Sequence, residues 1–278
     1  MIAKFKGTVQ QVKLSTQNQI YIDPSPALRR YIAHYTLSFA NDSAVPDSLT
    51  LIPDASGCLV FTYDGTSLTS RLWGATTKTV IVKNDVNTCP MRFFIEFLPG
   101  GLFCLTRIRQ TDLADLQLPI WQVNARLHSL VADAFENAES IGSFIDSLNT
   151  IFLSYIQNRT LPPGLCSAID NINRFKGCLA VKELAKREFY SERHLNRFFN
   201  DCLGMNIKTF SNIVRINYLL QEMNKGYYRP VDVAQNTGFY DQAHFIHTFK
   251  SICGATPKTY FENMSEFYNE PFKFRGKM

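Results

Sequence analysis

The chain has 278 residues, 45% apolar and 19% charged, which suits two globular domains and excludes an intrinsically disordered protein. No apolar run reaches the roughly eighteen residues that a membrane helix needs, and the opening MIAKFKGTVQQVKLS lacks the apolar stretch and cleavage site of a signal peptide, so no membrane association and a cytoplasmic location are expected. The net charge of +5 is unevenly placed: residues 1–159 hold 13 basic and 13 acidic side chains and residues 160–278 hold 16 and 11, which points the C-terminal part toward a polyanion.

Within residues 49–110, the segments SLTLIPD, GCLVFTYDG, TVIVKNDV and MRFFIEFLPGG are rich in β-branched and aromatic residues and are punctuated by Asp, Gly and Pro. That is the signature of strands. Several short strands in about sixty residues predict a small barrel or sandwich. From Asp112 to Arg159 the pattern turns helical. Ile141, Ile145, Leu148, Phe152 and Tyr155 recur at alternating steps of four and three, which makes one apolar stripe. The stripe fits either a homodimer through residues 121–157 or packing on its own domain's sheet. Two heptads are fewer than a coiled coil needs, which favours the sheet. At Leu161-Pro162-Pro163-Gly164 two prolines block helix continuation and a glycine loosens the chain. The expected domains are 1–160 and 165–278, with 161–164 as linker.

Laid on itself at an offset of fifty residues, the C-terminal part repeats. Leu195 falls on Phe245, Phe199 on Phe249, Gly204 on Gly254, and Lys208-Thr209-Phe210 on Lys258-Thr259-Tyr260. Each copy has a short helix before the matched one. In the first, Val181, Leu184 and Ala185 share a face, and Ser191 is placed to cap the next helix. In the second, Val231–Asn236 precede Gly238, and Asp241 takes the capping place. Both copies, about 180–201 and 231–252, read as helix-turn-helix units, with Ala185 and Ala234 supplying the short side chain that steeply crossing helices require. Between them Ile207, Phe210, Ile213, Ile216, Leu220 and Met223 form the stripe of one long helix. From Asn206 to Met223 it would run about 27 Å, close to the roughly 34 Å turn of DNA. The expected fold class is α+β multidomain: a small β-barrel or sandwich with trailing helices at the N-terminus, then an all-α domain of two helix-turn-helix units joined by a long helix.

The most specific stretch is Val233-Ala234-Gln235-Asn236-Thr237-Gly238-Phe239-Tyr240-Asp241-Gln242-Ala243-His244-Phe245-Ile246-His247-Thr248-Phe249-Lys250, followed by Gly254-Ala255-Thr256-Pro257 and Tyr260. With Leu184-Ala185, Ser191, Leu195, Phe199, Gly204 and Arg215 of the first unit, residues from about 165 to 262 resemble the DNA-binding domain of the AraC/XylS family of bacterial transcription regulators. The resemblance implies a sequence-specific regulator that reads two successive major grooves of a double-stranded operator and works with RNA polymerase. Activation is that family's commoner mode, and repression is the alternative. Phe189 departs from the pattern, because the family usually places glycine in this turn and a bulky residue at positive φ is strained.

The second helix of each unit should present its N-terminal half to base edges. Removing inward positions leaves Glu192, Arg193, Asn196 and Arg197 on the first helix. Arg donates bidentately to guanine and Asn pairs with adenine, each contact giving about 1 to 3 kcal/mol of discrimination. The resemblance agrees for Arg193, Asn196 and Arg197, which match base-reading positions of the family. On the second helix Asp241, Gln242, Ala243, Ile246, His247 and Lys250 remain. Gln242 suits adenine, Ile246 a thymine methyl and Lys250 a phosphate. A solvated polar face is the alternative for both helices.

Tyr31-Ile32-Ala33-His34-Tyr35 and Phe94–Gly101, ahead of a helical pair, resemble the sensory or dimerisation half of such regulators. That implies a small β-barrel-like domain and control by a small effector, whose identity and site are not named by the sequence. The alternative is a ligand-independent regulator whose N-terminal half only dimerises. Tyr63, Trp73, Phe93, Phe97 and Phe103 can line a pocket or pack a core, and Arg71 or Arg92 can meet an acid. His34 and His128 are too few for a metal centre, and His244 and His247 lack a partner at ligand spacing, so no metal and no other cofactor is expected. Seven cysteines without a CxxC pair fit reduced thiols; Cys58, Cys89 and Cys104 as a redox sensor is the rival reading. The chain lacks GxSxG, a phosphate-cradling Gly-rich loop and HExxH, so no catalytic residues and no enzyme are expected.

Overall fold

Alternating burial along Cys58–Tyr63 and Met91–Phe97 marks strands with one face on a core. In the computed structural model the described residues are 2–7, 11–16, 18–40, 48–83, 89–157, 159–224, 239, 241–264 and 267–268. The N-terminal strands are β1 (Val12–Ser15), β2 (Gln19–Ile22), β3 (Ile32–Phe39), β4 (Ser48–Leu51), β5 (Cys58–Tyr63), β6 (Leu68–Trp73), β7 (Val80–Lys83), β8 (Met91–Phe97) and β9 (Gln117–Pro119). Seven of them form an antiparallel sheet in the order β1-β2-β3-β8-β5-β6-β9. β4 and β7 form a second, antiparallel pair.

The large sheet is covered by helices rather than by its own continuation. After α1 (Gly101–Thr106) come α2 (Ile120–Asn137) and α3 (Ile141–Ile156). Phe93 of β8 stacks on Phe61 of β5 at 4.5 Å, and meets Phe135 of α2 at 5.7 Å and Phe144 of α3 at 4.9 Å. Because the helices already bury this face, β1 and β9 stay at opposite edges, and among the described residues the expected barrel does not close. Ile141, Ile145, Leu148 and Phe152 lie in this core, so the stripe on α3 packs within its own domain. Ser140 and Ser143 form the capping box that starts that helix. Tyr63, Phe93 and Phe97 are likewise core residues.

The C-terminal helices are α4 (Pro163–Arg174), α5 (Val181–Arg187), α6 (Glu192–Leu203), α7 (Ile207–Asn224), α8 (Gln242–Cys253) and α9 (Pro257–Glu262). α4 begins at Pro163, so half of the expected linker 161–164 is its first turn; proline's fixed φ suits the first helical position. Gly164 does not loosen the chain there, because a Cβ at this position would lie 2.2 Å from the Tyr190 ring. The first helix of the second unit, read at Val231–Asn236 with Ala234 and Gly238 beyond, lies outside the described residues.

The two parts share a boundary core. Ile52, Ala55 and Ala75 of the N-terminal part are buried in the same cluster as Leu195, Phe199, Phe210, Phe245 and Phe249. β10 (Phe267–Tyr268) returns from the last helix to pair in parallel with β4. No helix among the described residues is long and apolar enough to cross a membrane.

Candidate nucleic-acid interface

The two candidate reading helices are built alike. Ser191 Oγ accepts from His194 N at 3.2 Å at the start of α6, and Asp241 Oδ1 accepts from His244 N at 2.7 Å at the start of α8. Gly204 (φ 77°) and Gly254 (φ 72°) end the two helices in the left-handed conformation. Inside, Leu195 and Phe199 are buried on α6, and Phe245 and Phe249 on α8. Phe199 meets Phe210 edge-on at 5.6 Å, and fifty residues later Phe249 meets Tyr260 edge-on at 5.5 Å. The next helices are capped alike too: Thr209 N donates to Asn206 Oδ1 at 2.9 Å, and Thr259 N to Thr256 Oγ1 at 3.3 Å. The sequence repeat is therefore a repeat of caps, core contacts and terminations.

In the first unit α5 crosses to α6 through a turn held by Tyr190 N donating to Ala185 O at 3.0 Å. Ala185 is buried at the helix contact, as its small side chain requires. Phe189 occupies that turn at φ 58° with its ring 95% exposed. The departure from glycine is accommodated by placing the whole side chain in solvent.

On α6, Arg193 and Arg197 are exposed and one turn apart on one face. Arg197 Nη2 donates to His194 Nε2 at 3.3 Å, and the His194 ring leans on Phe198 at 4.7 Å and Tyr190 at 5.1 Å. His194, which sequence reasoning passed over, thus orients Arg197; its place at an N-terminal turn of the repeat was the available signal. Asn196 differs from its neighbours. It is half-buried, with Nδ2 donating to Glu192 O at 3.0 Å and Oδ1 accepting from Ile207 N at 3.0 Å. Both ends of the amide are used: Nδ2 bonds back within α6, and Oδ1 joins α6 to the start of α7.

On α8, Gln242, Ala243, Ile246, His247 and Lys250 are all exposed. Gln242, Ile246 and Lys250 fall at i, i+4 and i+8, which gives one continuous stripe. His244 leans on Phe239 at 5.5 Å. The face combines an amide, an apolar branch and an ammonium, the set that serves base edges and phosphates together. On the inner side of α6, burial pushes the Cys202 thiol up to about 12. The described residues bring together no three His, Cys, Asp or Glu side chains able to hold a metal ion.

A family profile described as a helix-turn-helix domain matches residues 184–263, and one described as a domain of unknown function matches residues 21–119. An uncharacterized HTH-type transcriptional regulator of Staphylococcus aureus is 34% identical over 82 residues, which is 30% of this chain and 11% of the relative. A second, from strain N315, is 33% identical over the same length and shares. The chain thus matches about a tenth of the length of these relatives. Among solved structures, ToxT from Vibrio cholerae O395 is similar with a TM-score of 0.40 and 13% identity, covering 88% of this chain and 96% of ToxT. The C-terminal domain of AraT, a response regulator from Geobacillus stearothermophilus, has a TM-score of 0.35 and 20% identity, covering 37% of this chain and 86% of that domain.

Proposed function

We propose that the C-terminal part, which matches a helix-turn-helix profile over residues 184–263, is of the AraC type, and that the chain is a sequence-specific transcription regulator. α6 and α8 enter successive major grooves of one operator. The observation that carries this reading is the duplicated construction of α6 and α8, each with a polar face left outward. Arg193 and Arg197 read bases from α6. Gln242, Ala243, Ile246 and His247 read from α8, and Lys250 meets phosphate. Asn196 contributes by fixing α6 on α7, with base contact secondary to that role. α7 has 18 residues and so spans about 27 Å, which holds the two helices within one turn of DNA.

The N-terminal domain acts as the sensor, and a small effector bound there shifts how the chain sits on DNA; that requires different affinity for two states. Activation through RNA polymerase is the mode proposed. A homodimer through residues 121–157 would use outward side chains such as Trp121, since the apolar stripe of α3 is spent inside the domain.

The test is selection of bound sequences from random DNA by the full chain at physiological salt, followed by mapping of bound sites in a genome. Enrichment of a motif with two half-sites about one helical turn apart is expected. Binding without sequence preference would overturn the reading.

A further inference from the structure

The residue that breaks α2 also borders a cleft. Asn124 leaves helical geometry (φ −156°, ψ 89°), and its Oδ1 accepts from Leu127 N at 2.9 Å, which restarts the helix. Between this break and the end of α3 lies a cleft of about 470 Å³ lined by Asn124, Arg126, Leu130, Ser154, Tyr155 and Arg159. That volume falls within the roughly 300 to 1,000 Å³ of small-molecule sites.

Two of the six side chains are guanidinium groups, and no carboxylate is among the lining residues described. Arg159 is held in place: its Nη1 donates to Cys104 O at 2.9 Å and Leu105 O at 2.7 Å, and its own carbonyl accepts from Tyr31 Oη at 2.7 Å. Arg126 is exposed and has no hydrogen-bond or ion-pair partner among the described residues. One fixed and one uncommitted guanidinium on the same cleft leave an uncompensated positive charge with the fork geometry that matches a carboxylate. Leu130 and the Tyr155 ring supply an apolar wall, and Asn124 and Ser154 supply hydrogen-bonding groups.

We propose that this cleft binds a small carboxylate with a compact apolar body, its oxygens on Arg126 and Arg159 and its body against Leu130 and Tyr155. The proposal rests on the sensor reading given above and assigns that sensor a site and a ligand class. It also gives the site a route to the DNA-binding part. Arg159 lies two residues before Leu161, whose side chain packs so closely on Gly100 that a Cβ there would be 2.5 Å from Leu161 Cδ1; α4 begins two residues later. A ligand joining Arg126 to Arg159 ties α2 to the segment that leads into the DNA-binding helices.

The test uses the full chain with Trp73→Phe, which leaves Trp121, three residues before Asn124, as the only tryptophan. Sodium benzoate is the probe, with inorganic phosphate as a second arm and sodium chloride at equal ionic strength as the blank. Saturable change in Trp121 emission with benzoate, weakened at least tenfold by Arg126→Gln, is the expected result. Calorimetric titration on the chain with both tryptophans checks the same constants. An unchanged benzoate constant in Arg126→Gln, saturation by phosphate alone, or no saturable binding in either measurement overturns the proposal. Arg126 makes no hydrogen bond or ion pair among the described residues that its replacement would break, so the variant should melt with the parent. Binding is read without DNA: a parent chain that shows no saturable benzoate binding yet still selects an operator removes the proposal and leaves the regulator reading, and a parent chain that binds benzoate but selects no operator does the reverse.

Discussion

Asn217 of α7 donates its side-chain amide to the carbonyl of Pro53, 164 residues earlier, at 3.1 Å and to Ile213 O at 2.9 Å, with none of its surface exposed. A fully buried amide that reaches from the helical C-terminal part to the β-rich N-terminal part is a specific fastening between the two. The carbonyl it serves lies beside Ile52, whose side chain belongs to the shared core.

Asn217→Leu should therefore loosen the two parts. Pro53 O loses its buried donor, at a cost of about 1 to 3 kcal/mol. Urea unfolding should show a lower midpoint, and two transitions in place of one if this contact is what couples the parts. An unchanged midpoint would mean that Pro53 O finds water at no cost.

Phe189→Gly should raise stability. A non-glycine residue in left-handed geometry costs about 1 to 2 kcal/mol, and Phe189 has φ 58° with its ring almost wholly in solvent, so little packing is lost. Added chain entropy of glycine in the unfolded state offsets part of the gain, leaving about 0.5 to 1 kcal/mol. A urea midpoint lower than that of the parent would show that the ring makes a contact that matters to folding.

The place of Phe189 is legible in the sequence through the family resemblance, whose pattern puts glycine in this turn. Also legible are the helix ends at Gly204 and Gly254 and β4, β5, β7 and β8, where local chemistry decides the outcome. β6 is not legible, because Leu68–Trp73 mixes Thr, Ser and Arg with its apolar residues and takes its strand form in pairing with β5 and β9. Whether the sheet closes depends on what covers it, which is a tertiary matter. For Asn196, residue type and helix face point to base reading; only the approach of the Ile207 amide reveals the hydrogen bond that its Oδ1 accepts.

Gly204→Ala and Gly254→Ala form a matched pair. Both residues have nearly the same φ, so the backbone cost should be common to both. At 204 a Cβ would lie 2.7 Å from the rigid carbonyl of Gln110, whereas at 254 it would lie 2.7 Å from the Thr79 hydroxyl, which can rotate away. Gly204→Ala should cost more by about 1 kcal/mol or above, and Thr79→Ala should relieve only Gly254→Ala. Equal losses in thermal unfolding would place neither helix end against the N-terminal domain.

Alkaline pH should weaken the fold through buried thiols. Burial pushes Cys104 up to about 11 and Cys202 up to about 12, from an ordinary 9.0. A raised value means the folded state holds its proton more tightly, so this contribution is intact below pH 9 and is lost as pH rises toward 11 and 12. Cys104→Ala should flatten the decline of the unfolding midpoint between pH 9 and 11, and an unchanged slope would assign the decline to other groups. At neutral pH iodoacetamide should modify exposed Cys178 ahead of both.

Arg197→Ala and Asn196→Ala should fail in different ways. Arg197 is exposed and oriented by His194, so its loss should weaken a selected operator by about ten- to a hundredfold, the equivalent of one bidentate base contact. Random DNA should be affected by much less. Asn196 accepts from Ile207 N at the start of α7, so its loss should act like a lost helix cap, about 0.5 to 2 kcal/mol of stability. At a temperature where both variants are folded, Asn196→Ala should keep most of the operator preference. Operator and random-sequence constants measured side by side, with a melting curve for each variant, separate the two roles; equal losses on both DNAs for Arg197→Ala would remove it from base reading.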